Sequence, residues 1–379
     1  MKLGALIFGQ RQDPHVVAIT RRLRARGVES FVFDQYRDQT AIRYPDALSP
    51  GDWPFTTWLD RFDGVCVCNR VKSPKGDVRP EFDNRPGPLD PVGPYQTKEF
   101  YRAEWNALTT SLQHRLMARP GVVLLNEGVL RSGAGLKPLQ LAVAAEVGFE
   151  IPRTVIGNSE AAIECAFGDD VLFKPLSANS VAGRGTPPPA VLPKALVLAE
   201  GRATVAPSIF QERIHKRHEL RVLVAGDAVR VIAIDSQSQA YTALDWRIGE
   251  NRPELFAWVE TPTTLVTPLM EFMRRFRLDV GVFDFAVDTE GQTVFFECNP
   301  SGQFLMMEIH TGAPFAADIA ETIARKAAEA ARSRPCEART ERAVAPGRQD
   351  PASADRTWRD QQRGGIGSRA PGPYARGTA

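Results

Sequence analysis

Asp284, Glu297 and Asn299 are spaced along residues 281–304, GVFDFAVDTEGQTVFFECNPSGQF, in a way that suits a metal ion. The segment predicts two β-strands joined by a short turn, with Asp284 on the first strand and Glu297 and Asn299 on the second. Because side chains alternate along a strand, Glu297 and Asn299 face the same side, where Asp284 can join them. Oxygen ligands of this kind, completed by substrate phosphates, suit magnesium. The pattern therefore predicts a nucleotide-bound metal site.

A solvent-facing acidic hairpin would carry the same two carboxylates. However, Glu297 and Asn299 lie in the otherwise apolar run VFFECNP. A buried carboxylate without a partner would be costly there, so a cation or a hydrogen-bond donor is required. This context favours the metal site.

Two lysines occur where a triphosphate could meet them. Lys137 opens a predicted helix after the loop Ser132-Gly133-Ala134-Gly135, and Lys174 ends the strand VLFK. A lysine supplies a compact positive charge, and a glycine-containing loop permits close approach of the backbone to a phosphate. The small residues at 177–185, SANSVAGRG, suit a mobile lid over phosphates, although an ordinary loop has the same composition.

The strand IFQERI presents Gln211 and Glu212 beside the backbone of Arg213 and Ile214, and Glu219 and Arg221 follow. Adenine is recognised by paired donors and acceptors on a strand edge, and a carboxylate can bind the ribose diol. Alternating charges on a strand also occur on solvated faces. Adenine binding and a solvated strand face are therefore both open from these residues alone.

The elements that would position these residues follow from hydrophobic periodicity. A strand at 2–8, a helix at 14–26 and a strand at 28–33 predict a βαβ opening. Further strands are predicted at 63–68, 122–127, 153–156, 171–174, 208–214, 219–225, 229–235, 281–288 and 293–299, and helices at 98–117, 138–147, 262–277 and 315–331. Residues 71–97 predict a long irregular connection. The fold class is α/β, with domains predicted at 1–125 and 126–331 and a disordered basic tail at 332–379.

Composition limits the functions that are possible. The 379 residues are 43% hydrophobic and 24% charged, and no apolar run reaches the length of a membrane span. The N-terminus predicts a core strand rather than a signal peptide. Five scattered cysteines without CxxC pairs argue against disulfides and structural zinc and suit the cytoplasm. The net charge of +2 does not indicate a nucleic-acid partner. Arginines outnumber acidic residues in the tail, which predicts a solvated extension or an arm for an acidic partner.

Taken in order, Lys137, Lys174 and the segments IFQERI, ELRV, DWR, FDFAVD and FECNPSGQF resemble the ATP-grasp ligases. Within them the chain is similar to the maturases of ribosomally made peptides, the microviridin-type or graspetide synthetases, which are related to the ribosomal-protein glutamate ligases. The resemblance covers about residues 100–325 and, more loosely, the N-terminal βαβ region as a pre-ATP-grasp domain. It implies an α/β fold with a pre-ATP-grasp, peptide-recognition domain followed by a two-lobed ATP-grasp domain.

The resemblance also implies roles for particular residues. ATP and two magnesium ions, for which manganese can substitute, are the implied cofactors, and a precursor peptide is the implied partner, with a homodimer possible. The implied contacts are Lys137, Lys174, Arg221 and Arg247 with phosphates or the acyl phosphate, residues Gln211, Glu212, Arg213 and Ile214 with adenine, Glu219 with the ribose, and Asp284, Glu297 and Asn299 with the metal ions.

Three functions are compatible with these observations. The first is a ligase that activates a side-chain carboxylate of a precursor peptide as an acyl phosphate and forms an ester or amide crosslink. The second is a ligase that adds a free amino acid to a protein tail or a small molecule. The third is a nucleotide-binding protein without chemistry, which the complete set of Asp284, Glu297 and Asn299 disfavours.

Overall fold

The computed structural model of the protein describes residues 1–35, 37–38, 55–70, 98–174, 176, 190–193, 206–249 and 251–334. The predicted connection at 71–97, the whole of the predicted lid at 177–185 and the predicted tail beyond residue 334 lie outside these residues. In the part of the chain that is described, no helix combines the length and the apolar character needed to cross a membrane.

The bounds of the elements are as follows. The strands are β1 (Leu3–Phe8), β2 (Glu29–Phe33), β3 (Gly64–Asn69), β4 (Val122–Leu124), β5 (Thr154–Gly157), β6 (Asp170–Lys174), β7 (Ala190–Pro193), β8 (Ser208–Gln211), β9 (Lys216–Ala225), β10 (Ala228–Ile234), β11 (Phe256–Val259), β12 (Val280–Asp288) and β13 (Thr293–Asn299). The α-helices are α1 (Pro14–Ala25), α2 (Thr56–Leu59), α3 (Lys98–Met117), α4 (Gly128–Arg131), α5 (Lys137–Glu146), α6 (Glu160–Ala166), α7 (Thr263–Arg275), α8 (Leu305–Thr311) and α9 (Phe315–Arg332).

The first sheet is parallel, with strand order β2-β1-β3-β4, and helices cover both of its faces. Ala5 and Ile7 of β1 pack with α1 and α9 on one face, while Leu6 and Phe8 pack with α2 and α3 on the other. Burial on both faces explains why β1 is an uninterrupted apolar run. Gly64 permits close packing of α9, because a Cβ at this position would lie 2.0 Å from the Ala327 carbonyl oxygen. The predicted βαβ opening is confirmed.

The second sheet is antiparallel, with strand order β11-β10-β9-β12-β13. On one face, the phenylalanines of β12 and β13 pack against α5 and α7 in a cluster that includes Phe272, Phe283, Phe285 and Phe295. A third, antiparallel sheet has the order β5-β8-β6-β7 and a small core of its own around Phe210. The sheet-rich architecture predicted after the βαβ opening is therefore confirmed.

Two strands end earlier than predicted. The strand predicted at 122–127 stops at Leu124, because Asn126 takes a left-handed conformation with φ of 60° and uses its side chain to bind other segments. The strand predicted at 208–214 stops at Gln211, and residues 212–215 cross to the second sheet without strand pairing. Helices α2, α4, α6 and α8 were not predicted from the periodicity, since each is seven residues or fewer.

Candidate active site

The register of β12 and β13 places the two candidate metal carboxylates opposite each other. Asp284 pairs directly with Glu297, and the next pair is Phe285 with Phe295, so Phe296 is an extra residue that forms a β-bulge. Without the bulge, simple alternation would place Glu297 on the same face as Phe295, in the aromatic core. With it, Phe295 and Cys298 stay buried in that core while Glu297 and Asn299 face the opposite side. The predicted convergence of Asp284, Glu297 and Asn299 is confirmed.

Cationic groups surround this acidic pair. Arg221 on β9 lies beside Asp284, with 2.5 Å between its Nη1 and Asp284 Oδ1. The Lys137 Nζ lies 3.6 Å from Glu297 Oε2. Burial raises the pKa of Asp284, whereas burial of Glu297 is outweighed by Lys137 and Lys174, so the pKa of Glu297 is lowered. The surroundings thus shift the pKa values of the two carboxylates in opposite directions, and a divalent cation bound between them would favour the charged form of both.

The oxygen atoms of these side chains suit a magnesium ion that also binds phosphates, rather than an ion enclosed by protein ligands alone. Asn299 Nδ2 donates to Glu297 Oε1 at 3.1 Å, and the Asn299 amide oxygen accepts no hydrogen bond from a described residue. Over the residues that the structure covers, no three His, Cys, Asp or Glu side chains form a metal cluster. Two carboxylates and one amide oxygen are too few ligands for an octahedral ion, so phosphate oxygens and water would complete the shell.

Lys174 reaches the same region from the third sheet. Its Nζ donates to Gln211 Oε1 at 2.8 Å and lies 4.8 Å from the centre of the Phe296 ring. Burial lowers the pKa of Lys174 to about 8, and the nearby Lys137 adds to this effect. The bulge residue Phe296 therefore forms a cation–π contact with one of the candidate phosphate-binding lysines.

Lys137 is positioned by a neighbour that the sequence did not indicate. It is the first residue of α5, as predicted, and Gln140 lies one turn further along the same helix. Gln140 is buried, donates through Nε2 to Cys298 O (2.8 Å), and accepts from Cys298 N through Oε1 (2.9 Å). This pair of bonds joins α5 to the residue between Glu297 and Asn299. A glutamine at helical spacing is usually a surface residue. Only the tertiary contact with Cys298 therefore identifies Gln140 as a residue that supports the site.

The candidate nucleoside-binding residues lie at the crossing from β8 to β9. Gln211 is buried and donates through Nε2 to Thr154 Oγ1 at 2.9 Å. Glu212 forms an ion pair with Arg153, at 3.2 Å, and Glu219 forms one with Lys216, at 2.6 Å. Burial raises the pKa of Glu219, although Lys216 opposes this. Lys216 is a cleft residue that the sequence reasoning missed.

Arg247 lies on a short 3-10 helix, Trp246–Gly249, across from the acidic pair. Its guanidinium donates to both carboxylate oxygens of Asp245, at 2.8 and 2.6 Å, and hydrogen bonding to Asp245 raises the pKa of Arg247. The neighbouring Trp246 lies 5.4 Å below the Arg221 guanidinium. Half of the Arg247 side chain remains exposed, so it can turn toward a bound group.

One cleft of about 1450 Å³ contains every candidate site residue. These residues are Lys137, Lys174, Gln211, Glu212, Arg213, Ile214, Glu219, Arg221, Arg247, Asp284, Glu297 and Asn299. The cleft extends beyond them to His15, Leu244, Phe304 and Met306. It can therefore hold a nucleotide at the lysines and still leave an apolar end for a second substrate.

Comparisons with known proteins identify the fold. A scan against protein-family models and a search of curated proteins found no match. Among solved structures, the chain is similar to a Chryseobacterium gregarium RiPP-associated ATP-grasp ligase in complex with ADP and with a leader and core peptide, with a TM-score of 0.67, 21% identity, and coverage of 86% of this chain and 97% of that chain.

Two further structures agree with this result. The macrocyclase MdnC from Microcystis aeruginosa, bound with the precursor peptide MdnA, gives a TM-score of 0.62 and 21% identity, covering 85% of this chain and 100% of that chain. The ATP-grasp ligase PsnB, complexed with a phosphomimetic variant of a minimal precursor, Mg and ADP, gives 0.61 and 19%, covering 86% and 99%. This chain has the α/β fold of the ATP-grasp ligases.

Proposed function

We propose that this protein is an ADP-forming ligase that uses ATP and magnesium to join a side-chain carboxylate of a ribosomally synthesised precursor peptide to an amine or hydroxyl of that peptide. The observation that carries the proposal is that the acidic pair Asp284 and Glu297 and the lysines Lys137 and Lys174 line one cleft of an ATP-grasp fold. Solved structures with this fold are complexes with ADP and with precursor peptides, which favours the same ligands here.

The lysine end of the cleft is assigned to ATP. Lys137 and Lys174 would bind the phosphates through Nζ, while Gln211 and the following residues to Ile214 would lie against adenine. Glu219 would bind the ribose after exchanging its bond with Lys216. Asp284, Glu297 and Asn299 would hold magnesium, or manganese in its place, which neutralises the charge of the β- and γ-phosphates.

The proposed reaction has two steps. A carboxylate oxygen of the peptide attacks the γ-phosphorus of ATP, the bond to ADP breaks, and an acyl phosphate forms. An amine or hydroxyl then attacks the acyl carbon, phosphate leaves, and the nucleophile loses its proton. Arg221 and Arg247 would bind the charge that develops on the transferred group, which requires positioning and electrostatics but no protein nucleophile. This accounts for chemistry without a protein nucleophile such as the serine of a Ser-His-Asp set.

The location and the peptide-binding region are part of the same proposal. The described cysteines are free thiols, three of them buried, which is compatible with the cytoplasm. We assign residues 1–125 to peptide recognition and 126–331 to catalysis.

Hydroxylamine trapping tests the proposal. The protein is incubated with magnesium, ATP, hydroxylamine and a synthetic peptide encoded by a short reading frame beside its gene, chosen for repeated Thr and Asp or Glu. We expect a hydroxamate on an Asp or Glu side chain together with ADP. Without hydroxylamine, the peptide should lose the mass of one water for each bond formed.

Two results would contradict this assignment. AMP and pyrophosphate in place of ADP would mean that the carboxylate is adenylated, with attack at the α-phosphorus. Consumption of ATP with free amino acids, and none with any candidate peptide, would support the second hypothesis from the sequence, a ligase for free amino acids.

A further inference from the structure

The five residues after Asn299, which we name loop 300–304, connect the candidate metal site to helix α8. Gly302 and Phe304 of this loop are buried. Arg70 donates through Nη1 and Nη2 to Gly302 O at 3.4 and 3.3 Å, and its guanidinium lies 5.6 Å from the centre of the Phe304 ring. The backbone N–H of Phe304 donates to His15 Nε2 at 3.3 Å. Two side chains of the first sheet region thus bind the second half of the loop.

The first half of the loop is bound by the same region. Asn126 Nδ2 donates to Pro300 O at 2.8 Å, and Ser301 Oγ donates to Asn69 O at 3.3 Å. Asn69 ends β3 and Arg70 follows it, while Asn126 lies just after β4. His15 lies in the first turn of α1, the helix that follows β1. The carboxyl ends of the parallel strands therefore meet the loop, around the point between β1 and β3 where the strand order reverses. In open parallel sheets this crevice is where ligands usually bind.

The opposite side of the loop contacts the candidate metal site directly. A Cβ built on Gly302 would lie 2.6 Å from Val282 Cβ and 3.2 Å from Asn299 Cβ, so the loop backbone has no room to move toward β12. Arg221 Nη2 donates to Gln303 O at 3.0 Å, and the same guanidinium binds Asp284. A shift of the loop would therefore displace Asn299 and Arg221 together.

Arg70 is an unusual residue to use for this contact. Only 5% of it is exposed, and burial lowers its pKa, an effect that the nearby Cys68 and Asp13 oppose. A buried guanidinium is costly, and among the described residues the Gly302 carbonyl, the Phe304 ring and the charge of Asp13 compensate part of its desolvation. Leucine or methionine at this position would avoid that cost but could not bind the loop carbonyl. The geometry therefore favours a specific role for the guanidinium rather than simple packing.

We propose that Arg70 and His15 are positioning residues for the metal–nucleotide site, acting through loop 300–304 on Asn299 and Arg221. The inference deepens the proposed function and rests on it, since it concerns the binding of a divalent ion with nucleotide. The N-terminal sheet then shapes the catalytic end of the cleft as well as binding substrate.

Manganese binding tests this without any peptide substrate. Mn²⁺ affinity of the full-length protein is measured by electron paramagnetic resonance with saturating ADP, and ADP affinity is measured separately without metal. Arg70→Met removes the donors to Gly302 O, and we expect Mn²⁺ affinity to fall about tenfold, the size of one lost hydrogen bond from a charged donor. ADP affinity without metal should change less than about twofold. Arg70→Lys, which keeps the charge and a single donor nitrogen, should recover part of the loss.

Three further variants separate positioning from folding. His15→Phe keeps an aromatic ring and removes the acceptor for Phe304 N–H, and we expect a smaller loss of Mn²⁺ affinity. Arg230→Met removes a half-buried arginine that pairs with Asp318 away from the cleft, and should leave Mn²⁺ affinity unchanged. If Arg70→Met does not fold, Gly302→Ala displaces the loop with Arg70 intact and should give the same loss.

The outcomes distinguish this inference from the function it rests on. Wild-type Mn²⁺ affinity in a folded Arg70→Met protein, or in Gly302→Ala when Arg70→Met does not fold, would overturn the inference and leave the proposed function standing. Parallel losses of metal-free ADP affinity and Mn²⁺ affinity would also overturn it, because they indicate general disruption. A wild-type protein that binds no Mn²⁺ with ADP would overturn both.

Discussion

Asn126→Ala removes four hydrogen bonds that join the end of β4 to distant segments. The Asn126 side chain donates through Nδ2 to Val280 O and Pro300 O and accepts through Oδ1 from the N–H groups of Asp279 and Val280, each at 2.8 Å. The residue is buried and has a φ of 60°, a conformation that asparagine and glycine tolerate better than alanine does. We expect this substitution to be among the most destabilising polar changes in the chain.

The magnitude follows from these contacts. Four buried hydrogen bonds at a net value of about 1 kcal/mol each give about 4 kcal/mol of lost unfolding free energy. The left-handed backbone adds about 1 kcal/mol for alanine, so the total is about 5 kcal/mol. Asn126→Gly loses the same bonds without the backbone strain and should cost about 1 kcal/mol less than alanine. Asn106→Ala, on the exposed side of α3, should stay within about 0.5 kcal/mol of wild type.

Urea unfolding measures these differences, followed by tryptophan fluorescence and by far-UV circular dichroism so that non-coincident transitions are detected. The order expected for the unfolding midpoints is Asn106→Ala and wild type highest, then Asn126→Gly, then Asn126→Ala. A loss below about 1 kcal/mol for Asn126→Ala would show that water replaces the asparagine and would refute the additive count. A glycine variant less stable than the alanine variant would refute the strain argument.

Three more outcomes are expected. Asp284→Asn and Glu297→Gln should each lower ATP-dependent product formation about a hundredfold or more, whereas the control Glu271→Gln, on the surface of α7, should not. Wild-type turnover in either cleft variant would contradict the assignment of the metal site. Lys174 loses its proton as the pH rises through about 8, so ATP affinity should fall above that pH. Lys174→Arg should abolish this fall. An ATP affinity of the wild-type protein that does not depend on pH would exclude contact between Lys174 Nζ and phosphate. Removal of residues 335–379, whose composition cannot build a core, should leave turnover and thermal stability unchanged. If turnover is lost while thermal stability is unchanged, these residues bind the substrate.

The sequence allowed prediction of what depends on local pattern. Helix α3 begins and ends at the predicted residues, because apolar residues recur there at helical spacing, and β12 and β13 lie within one residue of prediction, because a short turn joins two apolar strands. The convergence of Asp284 with Glu297 was predicted from the same hairpin, but it depends on the bulge at Phe296, because the register set by the turn alone would pair Asp284 with Phe296. The twelve candidate site residues lie in one cleft, although their assigned roles stay predictions.

What could not be predicted depends on contacts between distant segments. Gln140, Asn126 and Arg70 each bind backbone groups at least 150 positions away, and nothing in their local sequence distinguishes them from surface residues. The early end of β4 has the same origin, because the Asn126 conformation is stabilised by bonds to Val280 and Pro300 rather than by its neighbours.

The β-bulge at Phe296 has a consequence for how this hairpin can change in evolution. Loss of Phe296 would restore simple alternation, so Phe295 would stay in the aromatic core and Glu297 would still face the cleft, but the ring that contacts Lys174 would be lost. The turn at 289–292 precedes β13 and is exposed, so residues added there leave the pairing intact. Related chains that keep the site should therefore vary in length at the turn or lack the bulge residue, but should not lose the residue at Cys298, because Glu297 and Asn299 would then be neighbours and would face opposite sides of the sheet.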